Sequence, residues 1–141
     1  MTESTLNVLV VDDDDLTSEM VVRALRKVPG QFRVLAAADG QIGLDMLRGQ
    51  GAEPMSRPFI VLLDLNMPRM NGFEFLAAIR QDAQLRDSVI FVLTTSDSDA
   101  DRSRAYQELI AGYMVKSAVG PQFSKLAGLL NEFSRVVKLP A

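Results

Sequence analysis

The sequence predicts an α/β fold, a doubly wound five-stranded parallel sheet. Two observations carry that expectation. Five short, almost continuous apolar runs punctuate the chain, as strands buried on both faces require. Each is followed by a segment whose apolar residues recur at helical spacing, so the order is β-α five times, the pattern of right-handed crossovers. For five strands the flavodoxin-like (βα)5 order 2-1-3-4-5 is the leading topology. In such sheets ligands bind outside the carboxyl ends of the strands, at the switch point between strands 1 and 3.

The first strand spans Leu6 to Val11. Leu16, Met20, Ala24 and Val28, with Val21 and Leu25 beside them, then outline a helix that Pro29-Gly30 stops. Phe32 to Ala36 is the second strand. Residues 39–48 are the second helix, with Ile42 and Met46 four apart on its apolar side. A Gly/Pro loop at 49–58 leads to the third strand, "FIVLLD" at 59–64, and "NMPRMNG" at 66–72 is a turn-rich loop. Phe73, Leu76, Ala77 and Arg80 outline a third helix to about Ala83. "SVIFVLTTS" at 88–96 is the fourth strand, and 99–110 a polar helix with Ala105/Leu109 and Tyr106/Ile110 on one side. "GYMVKS" at 112–117 is a short fifth strand, and 121–137 the last helix. No repeat, low-complexity stretch or linker interrupts this order, so one domain over 1–141, without a separate output domain, is expected.

Composition removes several function classes. The net charge is −3 and no run is rich in Lys or Arg, so no nucleic-acid surface is expected. No apolar run approaches the ~20 residues of a membrane span. The start, "MTESTLNVLV", lacks the basic and apolar parts of a secretory signal, and a cytoplasmic protein is expected. The absence of Cys excludes thiol nucleophiles and Cys-based metal sites, and the absence of His removes Ser-His-Asp triads and any phosphohistidine on this chain. Chemistry is left to carboxylates, hydroxyls, Lys, Arg and backbone.

Those groups collect at strand ends. "VLVVDDDD" places Asp12 to Asp15 after the first strand, Asp64 ends the third, Thr94-Thr95-Ser96 the fourth and Lys116-Ser117 the fifth. Like charges about 4 Å apart repel by roughly 1 kcal/mol in water and about 4 kcal/mol at an effective dielectric of 20. Asp14 or Asp15 serves as the cap of the helix that begins near Leu16, and capping does not need all four. Asp12, Asp13 and Asp64 remain as a three-carboxylate pocket. A hard divalent cation resolves the repulsion, and an all-oxygen donor set favours Mg²⁺. A cation, a Lys and a hydroxyl around one aspartate are the parts needed for phosphoryl transfer onto a carboxylate.

With Asp12-Asp13, "LLDLNMPRMNG" at 62–72, "VLTTS" at 92–96 and "YMVKS" at 113–117 in order at the strand ends, the chain resembles the response-regulator receiver domains of two-component signalling over nearly its whole length. The resemblance implies roles. Asp64 is the phosphoryl acceptor, Asp13 binds Mg²⁺ directly, Asp12 binds it largely through water, and the backbone carbonyl of Asn66 completes the protein ligands. Thr94 bonds a phosphoryl oxygen and shifts inward, Lys116 pairs with Asp64 and then with the phosphoryl group, and Tyr113 is the aromatic switch behind the threonine. The donor is a phosphohistidine on a sensor histidine kinase. The wording "LTTS", "KSA" and "LRD" is similar to the stand-alone regulators that partner phytochrome-like sensor kinases. One departure stands out: the family has Lys-Pro, often cis, where this chain has Lys116-Ser117. A cis non-proline bond costs about 2.5–4 kcal/mol, so this loop is either trans and rearranged or strained.

Three other readings compete. Asp13-x-Asp15-x-Thr17 spells the nucleophile motif of haloacid-dehalogenase-type phosphatases, but no further acidic motif follows Lys116 to complete their metal site; Glu132 is alone there. A pseudo-receiver used only for docking or dimerisation keeps the fold without the intact acids. Asp97, Asp99, Asp101 and Glu108 match four ligand positions of an EF-hand loop, yet Arg102 stands where that loop needs Gly, so a solvated turn is expected. In the last helix Phe123, Leu126, Leu130, Phe133 and Val137 are spaced as an a/d seam that packs on the sheet, and Leu129, Val136 and Leu139 add apolar surface beside it. With Tyr106 from the preceding helix, Leu129, Phe133 and Val136 form the expected face of a homodimer.

Overall fold

The computed structural model describes residues 5–51 and 55–141, so residues 52–54 of the loop expected at 49–58 lie outside the described residues. The strands are β1 (Leu6–Val11), β2 (Phe32–Ala37), β3 (Phe59–Leu63), β4 (Val89–Thr94) and β5 (Gly112–Val115). The helices are α1 (Asp15–Leu25), α2 (Gly40–Leu47), α3 (Gly72–Gln81), α4 (Asp99–Gln107) and α5 (Ser124–Val136). All strands are parallel, in the order β2-β1-β3-β4-β5.

Strand side chains alternate between two cores, as the period of two demands. Leu9, Val11, Val61, Leu63, Ile90 and Val92 point to one face, under Leu44 and Leu47 of α2, Phe75, Leu76 and Ile79 of α3 and Ala105 of α4. Val8, Val10, Ile60, Leu62, Phe91 and Leu93 point to the other, under Val21, Ala24 and Leu25 of α1 and Leu126, Ala127 and Leu130 of α5. Burial on both faces is why β1, β3 and β4 read as almost continuous apolar runs, whereas the edge strand β2 keeps an exposed Arg33. Val11 pairs with Ala37 on one side and Leu63 on the other, so β1 and β3 end level and Asp12 and Asp64 emerge side by side.

Several boundaries differ from expectation, each for a local reason. Asp14, not Asp15, caps α1, its Oδ1 accepting from the Leu16 N–H at 3.0 Å. That helix stops at Leu25, and a turn carries the chain through Val28 to Pro29-Gly30. The buried side of α2 consists of Gly40, Gly43, Leu44, Met46 and Leu47, while Ile42 is exposed. Of the pair Ile42/Met46 only Met46 is buried, and two glycines share the inner side with Leu44 and Leu47; a Cβ on Gly43 would come within 3.0 Å of Val11. Helix α3 opens with a reciprocal capping box between Asn71 and Glu74 and ends at Gln81, because Asp82 turns extended. Helix α4 ends at Gln107, since Leu109 adopts φ 60° and is exposed while Ile110 turns back into the core. Strand β5 is shorter than expected: Lys116 begins a single 3₁₀ turn, Lys116–Ala118. The Lys116–Ser117 peptide is trans, the cis bond among the described residues being Arg57–Pro58. A second 3₁₀ turn, Pro121–Phe123, precedes α5. Along the expected seam Phe123, Leu126 and Leu130 are buried and Phe133 meets Phe91 edge-on, but Val137 lies beyond the helix and is exposed. Leu139 packs on the α1–α5 core rather than adding to the surface.

Candidate functional site

The carboxyl ends of β1, β3, β4 and β5 deliver the polar groups to one edge. Asp12 follows β1 with its backbone N–H tied to Ala37 O at 3.0 Å, and Asp64 follows β3 with its N–H tied to Val11 O at 2.9 Å. Both residues are 7% exposed, whereas Asp13 is exposed. One carboxylate oxygen from each of Asp12, Asp13 and Asp64 lies within 4.8 Å of the others. Asp12 has little freedom: Oδ1 accepts from the Asp14 N–H at 2.8 Å and Oδ2 from Lys116 Nζ at 2.8 Å. Asp64 accepts from the Asn66 N–H at 3.5 Å, a long contact, and Asn66 itself is exposed.

The loop after Asp64 is held from two sides. The Gly72 N–H donates to Leu65 O at 3.0 Å, and a Cβ at Gly72 would lie 2.5 Å from Asp64 O and 2.7 Å from Leu65 Cα. Only glycine tolerates that approach. From the other side Gly40 N–H donates to Met70 O at 3.3 Å, and the Arg69 guanidinium, on a residue with φ 63°, pairs with the buried Asp39. Asp39 also caps α2 through the Ile42 N–H at 2.9 Å. Asp39 and Arg69 were not singled out in the sequence, where Asp39 reads as the first residue of the second helix and Arg69 as part of the loop at 66–72.

Thr94 is fully buried at the end of β4. Its Oγ1 accepts from the Ser96 N–H at 3.4 Å, and the Tyr113 hydroxyl donates to Ser96 O at 3.0 Å. Thr94 and Tyr113 therefore meet at Ser96, whose own hydroxyl donates to Asp101 of α4 at 2.7 Å. Lys116 does not pair directly with Asp64. Its ammonium donates to Asp12 Oδ2 and, at 3.1 Å, to the hydroxyl of Thr17 on α1. The Asp64 carboxyl is pushed up by burial and by the nearby Asp12 charge, against the Thr94 hydroxyl, the Lys116 charge and the Asn66 N–H, which favour ionisation. A buried carboxyl with a raised pKa beside two more acids has chemical reason to take a cation, and three oxygen donors without nitrogen or sulfur suit a hard divalent ion.

The other expected residues divide. Tyr106, Leu129 and Val136 are exposed, while Phe133 is half-buried against Phe91. Asp97, Asp99 and Asp101 do not converge on an ion: Ser98 caps α4, Arg102 pairs with Asp97 and Asp99, and Asp101 accepts from Ser96. Asp15 opens α1 away from the cluster, so the phosphatase motif is not assembled, and Thr17 of that motif faces Lys116. Arg80, read only as part of a helix outline, donates to four carbonyls, Glu108 O at 2.6 Å, Arg86 O at 2.8 Å, and Ser88 O and Leu109 O at 3.0 Å.

Compared with known proteins, residues 8–126 match the response regulator receiver domain family. The chain belongs to that family. Among curated relatives, the receiver is 32% identical to the response regulator Rcp1 of Synechocystis over 136 residues, 95% of this chain and 92% of Rcp1. Among solved structures it superposes on the phosphorylated cyanobacterial phytochrome response regulator RcpA with a TM-score of 0.86 at 29% identity, covering 98% of this chain and 100% of RcpA. The Mn²⁺-bound form of Rcp1 gives a TM-score of 0.83 at 29% identity, over 96% and 99% of the two chains. The receiver's 2-1-3-4-5 sheet is the fold these structures share, and its relatives of this size are signalling domains. Among the described residues no helix is long and apolar enough to cross a membrane.

Proposed function

We propose that this receiver accepts a phosphoryl group on Asp64 from a phosphohistidine of a sensor histidine kinase. The observation that carries the reading is the meeting of Asp12, Asp13 and Asp64 oxygens within 4.8 Å at the β1/β3 switch point, with Lys116 bonded into the same cluster. An Asp64 oxygen attacks phosphorus; the P–O bond forms as the P–N bond breaks, and the kinase imidazole keeps the electron pair. The chain has no His, so the donor is a separate group. Asp13 and Asp64, with the Asn66 carbonyl, would hold Mg²⁺, and Asp12, with both oxygens already accepting bonds, would reach it through water. Bound there, Mg²⁺ supplies positive charge against the phosphoryl oxygens. Thr94 donates its hydroxyl to one of those oxygens and Lys116 its ammonium to another. Hydrolysis of the acyl phosphate returns the carboxylate.

The likeness to RcpA, a phytochrome response regulator by name, supports a phytochrome-like kinase as the donor. Acetyl phosphate or a phosphorylated kinase with Mg²⁺ should label the wild type and not Asp64→Asn. Label kept by Asp64→Asn overturns the assignment, and a wild type that takes no label supports the docking-module reading instead. A phosphotransfer profile against the sensor kinases of the source organism names the partner.

On the output side we propose a homodimer across α4, β5 and α5, centred on α5. Exposed Tyr106, Leu129 and Val136 lie on these elements beside Tyr113, which links to the loop after Thr94. Sedimentation equilibrium of the wild type against Leu129→Glu/Val136→Glu tests it. A wild type that stays monomeric at high concentration, with and without a phosphoryl mimic, rules it out.

A further inference from the structure

Resting on the reading of Asp64 as phosphoacceptor, we propose that Thr17 is a positioning residue that parks the Lys116 ammonium on the α1 side of the site and opposes its engagement with a phosphoryl group on Asp64. Thr17 is 3% exposed on the inward stripe of α1 with Val21, Ala24 and Leu25, a place that packing alone would give to an apolar side chain. What it adds there is one hydroxyl oxygen, 3.1 Å from Lys116 Nζ. The same nitrogen donates to Asp12 Oδ2 at 2.8 Å, and among the described residues no ion pair joins it to Asp64. The ammonium is thus tied to β1 and α1, whereas a phosphoryl group grows from the end of β3.

Asp12 belongs to the Asp64 cluster, its oxygen within 4.8 Å of that of Asp64, so Lys116 can turn toward Asp64 and keep Asp12. Thr17 is the partner it gives up. The Thr17 hydroxyl, on a residue 3% exposed, then loses its donor. Two effects favour the resting state: the hydrogen bond made to a charged donor, and the buried polar atom stranded when that bond is lost. Both are differences between ground states, so they set how far phosphorylation proceeds at equilibrium. Val is isosteric with Thr and removes both effects without opening a void.

The experiment uses the full chain with Mg²⁺ and beryllofluoride, a mimic of the phosphoryl group, titrated by amide NMR. Thr17→Val should bind beryllofluoride about tenfold more tightly than wild type, the order expected for one hydrogen bond to a charged donor. Thr17→Ser, which keeps the hydroxyl, should match wild type. The Lys116 side-chain NMR signals of the resting protein should shift in Thr17→Val and not in Thr17→Ser, a signature that a purely structural role would not give. Thr17→Ala carries the same expectation if Val is not accommodated. Wild type that binds the mimic, with Thr17→Val and Thr17→Ala binding no more tightly, overturns the parking role alone. Wild type that takes up no beryllofluoride and no label overturns the Asp64 reading and this inference with it.

Discussion

Replacing Asp64 by Asn should make the metal-free receiver more stable at neutral pH. The Asp12 and Asp64 oxygens lie within 4.8 Å, and both residues are buried. Two full charges at that distance repel by about 3.5 kcal/mol at an effective dielectric of 20. Lys116 and the Thr94 hydroxyl offset part of this, yet the balance still leaves the Asp64 carboxyl pushed up, by burial first and Asp12 second. An acid whose pKa is higher folded than unfolded binds protons more tightly in the native state. Its ionisation therefore costs stability above the folded pKa, and the cost disappears as pH falls through that pKa. Asn has nothing to ionise. The expected gain for Asp64→Asn at pH 7 is about 1–2 kcal/mol, which for a chain of this size is roughly 3–8 °C in Tm. Melts in EDTA from pH 7 downward should show the gap closing as the wild-type carboxyl protonates. Mg²⁺ should raise the wild-type Tm and leave Asp64→Asn nearly unmoved. An Asp64→Asn protein less stable than wild type in EDTA at pH 7 would refute the electrostatic reasoning.

Three further outcomes follow from the same geometry. Asp13→Asn should weaken Mg²⁺ binding about tenfold or more, read from NMR shifts at residues 12, 13 and 64, because Asp13 is the cluster's exposed acid and the one with freest oxygens; unchanged affinity would remove it from the ligand set. Gly72→Ala should cost about 1–3 kcal/mol in denaturant melts, since the added Cβ meets backbone atoms at 2.5 and 2.7 Å, and should slow labelling by displacing Asp64. Arg69→Ala should cost about 1–3 kcal/mol, because it leaves the buried Asp39 carboxylate without its cation, and should speed amide exchange across residues 66–71 several-fold, because the tie to Asp39 helps hold that loop to α2. Exchange equal to wild type there would show that the Gly40–Met70 bond suffices.

The fold was legible because burial on both faces leaves the central strands few polar positions: Phe59–Leu63 has none, and Leu6–Val11 has only Asn7, whose side chain is bonded to Ser56. The acids were legible for the converse reason: four aspartates directly after such a run have no packing role. What stayed hidden were polar residues whose neighbours come from distant segments. Thr17 falls at ordinary helical spacing and shows its purpose only when the Lys116 side chain reaches across to it, 99 positions along the chain. That same reach misled the expectation that Lys116 pairs with Asp64. Asp39 reads as an ordinary first residue of the second helix until its buried carboxylate is seen holding both α2 and Arg69. Helix ends were misplaced where a backbone reversal rather than a side chain decides them, as at Leu109 with φ 60°.

Helix α4 is held by such polar ties. Its sequence is polar all round, and Ala105 is its one buried residue. A helix with so little apolar contact depends on attachments at its edges. The Arg104 guanidinium stacks 4.0 Å over the Phe73 ring of α3, Asp101 holds the Ser96 hydroxyl, and Arg80 grips the carbonyls of Glu108 and Leu109 just past its end. Of these, only the Asp101–Ser96 bond leads toward Thr94, through the Ser96 N–H, and toward Tyr113, through the Ser96 carbonyl. A shift of the Thr94 hydroxyl toward a phosphoryl group would pull on Ser96 and reach the first turn of α4 and the Tyr113 ring together. The far end stays fixed by Arg80, whose bonds do not involve the acidic site. The ties thus favour a pivot about the C-terminal end of α4, the end nearest Arg80, over a displacement of the whole helix.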